Sequence, residues 1–134
     1  MYNVLIVDDE ESIRDVLQQI LSRFGYHAEI AAGGHEGIRI FDARPFDLVI
    51  TDIKMPDIDW YGVARHIRNS HRASTPIIGI SGTPWLLEGD EFDWVIPKPF
   101  GLQALLDAVQ NLIGHTVTSR QDSPDSVNQP TQKV

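Results

Sequence analysis

Cysteine is absent from the 134 residues, so disulfides, thiol nucleophiles and zinc–thiolate sites are excluded. Lysine is scarce: only Lys54, Lys98 and Lys133 occur, and the formal net charge is −8. Phosphate backbones reward a basic face, so direct nucleic-acid binding by this chain is not expected. No apolar run approaches the length needed to span a bilayer, and MYNVLIVDDEE lacks the basic start and apolar stretch of a secretory signal. The expectation is a cytoplasmic protein without membrane contact. His27, His35, His66, His71 and His115 are scattered, with no pair at ligand spacing on a firm helix, and read as surface residues.

What is present suits one domain with a real core: 42% of the residues are hydrophobic. Short apolar runs bordered by Gly, Pro or Asp recur at 2–7, 27–30, 47–50, 76–80 and 94–96, and read as strands. Between them lie helical patterns. In 10–24, Ile13, Val16, Leu17, Ile20, Leu21 and Phe24 form one apolar stripe that Gly25 ends. In 99–113, Leu102, Leu105, Leu106, Val109, Leu112 and Ile113 do the same before Gly114. Segments 34–43 and 60–69 are weaker helices, and 83–92, with Pro84 and Gly89, holds at most a short one. Strand and helix alternating five times imply an α/β parallel sheet covered on both faces. The domain is expected over 1–114. Residues 115–134, with no aromatic side chain, are expected to be a disordered tail.

Right-handed crossovers bring the C-terminal ends of all strands to one edge. Asp8, Asp9 and Glu10 follow the first strand, Asp52 the third, Ser81-Gly82 the fourth and Lys98-Pro99 the fifth. An acid ending the apolar run "LVITD" is costly to bury unless something binds it, so Asp52 is either a strand terminator or a working group. Gathered carboxylates raise one another's pKa unless a cation intervenes, and an all-oxygen cluster suits a hard divalent ion, Mg²⁺ above all. An aspartate there can attack phosphorus while an ammonium offsets the charge of the transferred group. Taken alone, Asp8, Asp9 and Glu10 read better as an N-cap and an acidic first turn; together with Asp52, Ser81 and Lys98 that reading becomes the minor one. Asp57 and Asp59 read as solvated loop acids, Trp85 as local packing, and Gly37 as a close helix–sheet contact.

"LIVDDE", "DIKMPDID", "GISG" and "PKPF", in this order and spacing, resemble the receiver domain of two-component response regulators over residues 2 to about 114. The resemblance implies a doubly wound, flavodoxin-like sheet of order 2-1-3-4-5. It implies Asp52 as phosphoacceptor, and Mg²⁺ held by Asp9, Asp52 and the backbone carbonyl of Lys54, with Asp8 reaching the ion through water. Ser81 matches the switch hydroxyl, Lys98 the phosphate-sensing lysine, and the Lys98–Pro99 peptide is expected to be cis.

Three departures stand out. Trp60 occupies a position where the family usually has glycine. Val95 occupies the family's aromatic switch position, and Trp94 can substitute only through a one-residue bulge. The span from Ser81 to Lys98 is short, so the fourth helix is expected to be truncated, altering the output face.

The resemblance implies a phosphorelay protein. It would take a phosphoryl group from a sensor histidine kinase or a histidine phosphotransfer protein and signal to a downstream protein. A stand-alone receiver, which is not a dedicated enzyme, is the first expectation; the receiver portion of a longer DNA-binding regulator is the second. An aspartate-nucleophile phosphatase is disfavoured because Lys54 stands where such enzymes carry a second acid. A flavin site is disfavoured because Asp8, Asp9 and Glu10 would meet its phosphate.

Overall fold

The computed structural model describes residues 1–87 and 90–113. The expected tail, with Gly114 and His115, lies outside them. Strands β1 (Asn3–Val7), β2 (His27–Ala31), β3 (Leu48–Asp52), β4 (Ile77–Ser81) and β5 (Trp94–Pro97) form one parallel sheet in the order β2-β1-β3-β4-β5. Helices α1 (Glu11–Arg23), α2 (Gly34–Ala43), α3 (Gly62–Arg68) and α4 (Leu102–Ile113) connect or follow them. None of these helices is long and apolar enough to cross a membrane.

Strand alternation divides the core. Val4 and Ile6 face one way, with Leu48, Ile50, Ile78, Ile80 and Ile96, and are covered by Leu17 and Leu21 of α1 and Leu105 and Val109 of α4. Leu5, Val7, Val49 and Ile77 face the other way, under Phe41 of α2 and Val63, Ala64 and Ile67 of α3. Both faces are buried, which explains why the strands read as continuous apolar runs.

The stripe on α1 is narrower than its periodicity suggested. Leu17 and Leu21 are fully buried, whereas Val16 is 48% and Phe24 41% exposed at its margin. Gly25 takes φ 91°, the left-handed conformation suited to a helix C-terminus, and the chain turns into β2. At Gly37 a Cβ would lie 2.7 Å from Cγ2 of Val7, so α2 rests directly on β1, as read from the sequence.

The truncation after β4 goes further than a shortened helix. Among the described residues a single 3₁₀ turn, Pro84–Leu86, stands there, closed by the Leu87 N–H donating to the Pro84 carbonyl at 3.2 Å. Trp85, on this turn, is 75% exposed instead of packed. The β4–β5 register runs unbroken from Ile78↔Trp94 through Gly79↔Val95 to Ser81↔Pro97. No bulge moves Trp94 into the place of Val95.

Candidate functional site

The strand ends do converge. Asp8 directly follows β1 and is fully buried; its Oδ1 accepts the Glu10 N–H at 2.8 Å. Its Oδ2 is buried and has no hydrogen-bond partner among the described residues. Asp52 is the last residue of β3, hydrogen-bonded into the sheet and only 5% exposed. Lys98, just beyond β5, places Nζ 3.2 Å from Asp52 Oδ2 and 3.4 Å from Glu10 Oε1. The Lys98 N–H donates to the Ser81 carbonyl at 2.8 Å, which ties the β5 exit to the end of β4. The Lys98–Pro99 peptide is cis. Ser81 is buried and its Oγ accepts the Thr83 N–H at 3.0 Å; a Cβ at Gly82 would meet nothing within 4 Å, leaving room beside the hydroxyl.

Carboxylate oxygens of Asp8, Glu10 and Asp52 lie within 4.8 Å of one another, positioned for a metal ion. Glu10 had no ligand role in the sequence reading, and its signal was only its place in the acidic run after β1. Asp9 is exposed and stands outside this trio, yet its charge still helps to raise the Asp52 pKa. The Lys54 N–H donates to Asp52 Oδ1 at 3.4 Å, a long contact.

The electrostatics follow from burial. Desolvation pushes the Asp8 carboxyl up to about 6; the Glu10 N–H opposes this and the Asp52 charge adds to it. Asp52 is also raised, chiefly by burial, with the Lys98 ammonium pulling the other way. Burial acts to lower Lys98, but Asp52, with Asp8 and Glu10, holds its pKa above the ordinary lysine range. A buried carboxylate oxygen without a partner, two acids with raised pKa values and an all-oxygen donor set fit a hard divalent cation.

Two further residues emerge. Asp57, read as a solvated loop acid, accepts the Gly34 and His35 N–H groups at 3.0 Å each and caps α2. Trp60 lines a cleft of 170 Å³ with Ile53, Lys54, Ser81, Gly82 and Thr83, and Lys54 Nζ lies 5.9 Å from its ring centre. Of the histidines, His27, His35 and His71 are exposed, while His66 is half-buried with Nε2 2.8 Å from Asp42 Oδ1.

Residues 4–110 match the family described as the response regulator receiver domain. The chain belongs to this family. The receiver is 37% identical over 118 residues to a probable transcriptional regulator, ycf27, of Cyanidium caldarium, covering 84% of this chain and 46% of that protein. It is 37% identical over 117 residues to the sensor histidine kinase AtsR of Burkholderia thailandensis, covering 82% of this chain and 19% of that one. It thus spans less than half the length of either curated relative. The response regulator TrrA of Thermotoga maritima, solved in complex with Mg²⁺-BeF, superposes with a TM-score of 0.76 at 33% identity, covering 84% of this chain and 99% of that one. Receiver membership favours a signalling reading over the phosphatase alternative.

Proposed function

We propose that this receiver accepts a phosphoryl group on the Asp52 carboxylate from a phosphohistidine donor, and that the modified rim signals to a partner protein. The P–N bond to the donor imidazole breaks as a P–O bond to Asp52 forms, and the imidazole takes up a proton as it leaves. The observation that carries this reading is the Lys98 ammonium 3.2 Å from a buried, strand-end carboxylate. Rigid anchoring in β3 presents Asp52 without the entropy of a mobile side chain, and Lys98 offsets charge gathering on the transferred group. Ser81, beside the open space at Gly82, is the hydroxyl available to a phosphoryl oxygen.

The cation proposed for the acidic trio is Mg²⁺. Asp8, Glu10 and Asp52 would hold it, together with Asp9 and the Lys54 carbonyl that the family pattern indicates. Bound there, it would supply charge neutralisation to the transferred group. The proposed donor is a sensor histidine kinase or a histidine phosphotransfer protein. An apolar cleft of 430 Å³ lined by Ile13, Val16, Lys98, Pro99 and Phe100 adjoins the rim and suits its landing.

Incubation with acetyl phosphate and Mg²⁺, followed by intact mass measurement, tests the proposal. Wild type should gain one phosphoryl group, lost on chelation, while Asp52→Asn gains none. Equal labelling of both proteins would remove Asp52 from the role.

A further inference from the structure

The cleft bounded by Trp60 opens onto the strand ends that flank Asp52. Ile53 follows Asp52 directly, and Ser81 follows Ile80, the register partner of Asp52 on β4. The other side of the carboxylate is occupied: Lys98 and Glu10 hold one another there, and Asp8 is fully buried. The cleft between the loops after β3 and β4 is thus one approach by which solvent reaches a group carried on Asp52. The indole of Trp60 is the largest side chain lining that opening, and the Lys54 ammonium lies 5.9 Å from its ring centre, within cation–π range. Gly62, two residues on, is packed so tightly that a Cβ would lie 2.3 Å from Ile58 Cγ1, so the segment carrying Trp60 is seated against the loop.

We infer that Trp60 is a shielding residue that covers the phosphorylated aspartate and slows its hydrolysis. This rests on the proposed acceptance of phosphate at Asp52. Hydrolysis needs water to reach phosphorus as the P–O bond to Asp52 breaks, giving inorganic phosphate and the free carboxylate. An apolar ring over the opening, held partly by Lys54, reduces the arrangements in which a water molecule lies correctly for that attack. Glycine at this position would leave the opening bare.

The test compares the decay of phosphorylated wild type, Trp60→Gly and Trp60→Phe after acetyl phosphate is removed, followed by intact mass, with thermal melts checking that all three are folded. Trp60→Gly should lose its phosphoryl group roughly fivefold faster than wild type, and Trp60→Phe should restore most of the lifetime. Equal decay in wild type and Trp60→Gly, or Phe behaving like Gly, overturns the shielding role alone. Failure of wild type to be labelled overturns it together with the function on which it rests. Should Trp60→Gly not fold, a protein carrying Trp85→Phe and Trp94→Phe reports on Trp60 by fluorescence. Acrylamide quenching of that indole should fall when Mg²⁺ and beryllofluoride are added, and unchanged quenching overturns the inference.

Discussion

Asp57 accepts the backbone N–H of His35 at 3.0 Å, although the two residues lie 22 positions apart. Its second oxygen takes the Gly34 N–H at the same distance, so the first turn of α2 is capped by a side chain from the loop after β3. The local sequence offers no cap of its own, because Gly33 at the N-cap position has no side chain. Glu36 completes the end by accepting the Ala32 N–H at 2.7 Å.

Asp57→Ala should therefore destabilise the protein by about 1 kcal/mol. The His35 N–H is the main cause of an Asp57 pKa below the ordinary aspartate range, with Gly34 adding to it against the opposing effect of burial. A lowered folded pKa gives stability that is present above about pH 4 and lost as pH falls through the folded value. The difference between wild type and Asp57→Ala should be full at neutral pH and shrink below pH about 4. Thermal melts across that range check it, and a difference independent of pH would exclude the charged cap.

Asp8 should behave in the opposite sense. Its carboxyl is fully buried, raised to about 6, and has one oxygen without a partner. Asp8→Asn removes a charge that burial opposes and should stabilise the metal-free protein at pH 8 by about 1–3 kcal/mol. Mg²⁺ should raise the wild-type melting temperature, an effect reversed by chelation, and should do so far less in the variant. Calorimetry with and without the ion separates the two contributions.

Removal of Lys98 strands Asp52. Lys98→Met should cost about 1–2 kcal/mol in the absence of Mg²⁺, since a buried carboxylate loses its cation while the partly exposed lysine loses less. In the Lys98→Met background, Asp52→Asn should be less damaging, or more stabilising, than in wild type. Urea unfolding of the four proteins gives the coupling energy, expected at about 1 kcal/mol. Additivity would mean that the 3.2 Å contact carries no net stability.

Gly37 and Val7 supply a purely steric test. Gly37→Ala places a methyl group 2.7 Å from one Val7 methyl and 2.9 Å from the other. The expected cost is about 1–3 kcal/mol of overpacking. Adding Val7→Ala should recover part of that cost, and a double-mutant cycle by denaturant melts measures the recovery.

Much of this protein was legible along the chain. Short apolar runs with turn residues at their borders gave five strands, because brevity, β-branched content and Gly, Pro or Asp borders are all properties of a few neighbouring residues. Asp8, Asp52, Ser81 and Lys98 could be assigned to one rim because parallel crossovers bring every strand end to the same edge. What the chain alone left undecided lies in contacts between distant residues. The packing of α1 against the sheet exposes Val16, which shares the periodicity of buried Leu17 and Leu21. The unbroken β4–β5 register fixes Val95 in its own place.

The sequence by itself determined the order of strands and helices, their amphipathic faces and the acidic character of the rim, since each depends on near neighbours. Only the tertiary structure decided that a Glu10 carboxylate oxygen comes within 4.8 Å of those of Asp8 and Asp52, that Asp57 caps a helix, and that Trp60 lines the cleft beside Ser81. Adjacent acids in "DDE" are chemically alike. Which of them turns toward Asp52 is set by how the backbone leaves β1 and what the opposing strands leave room for, and those constraints arise only when the chain is packed.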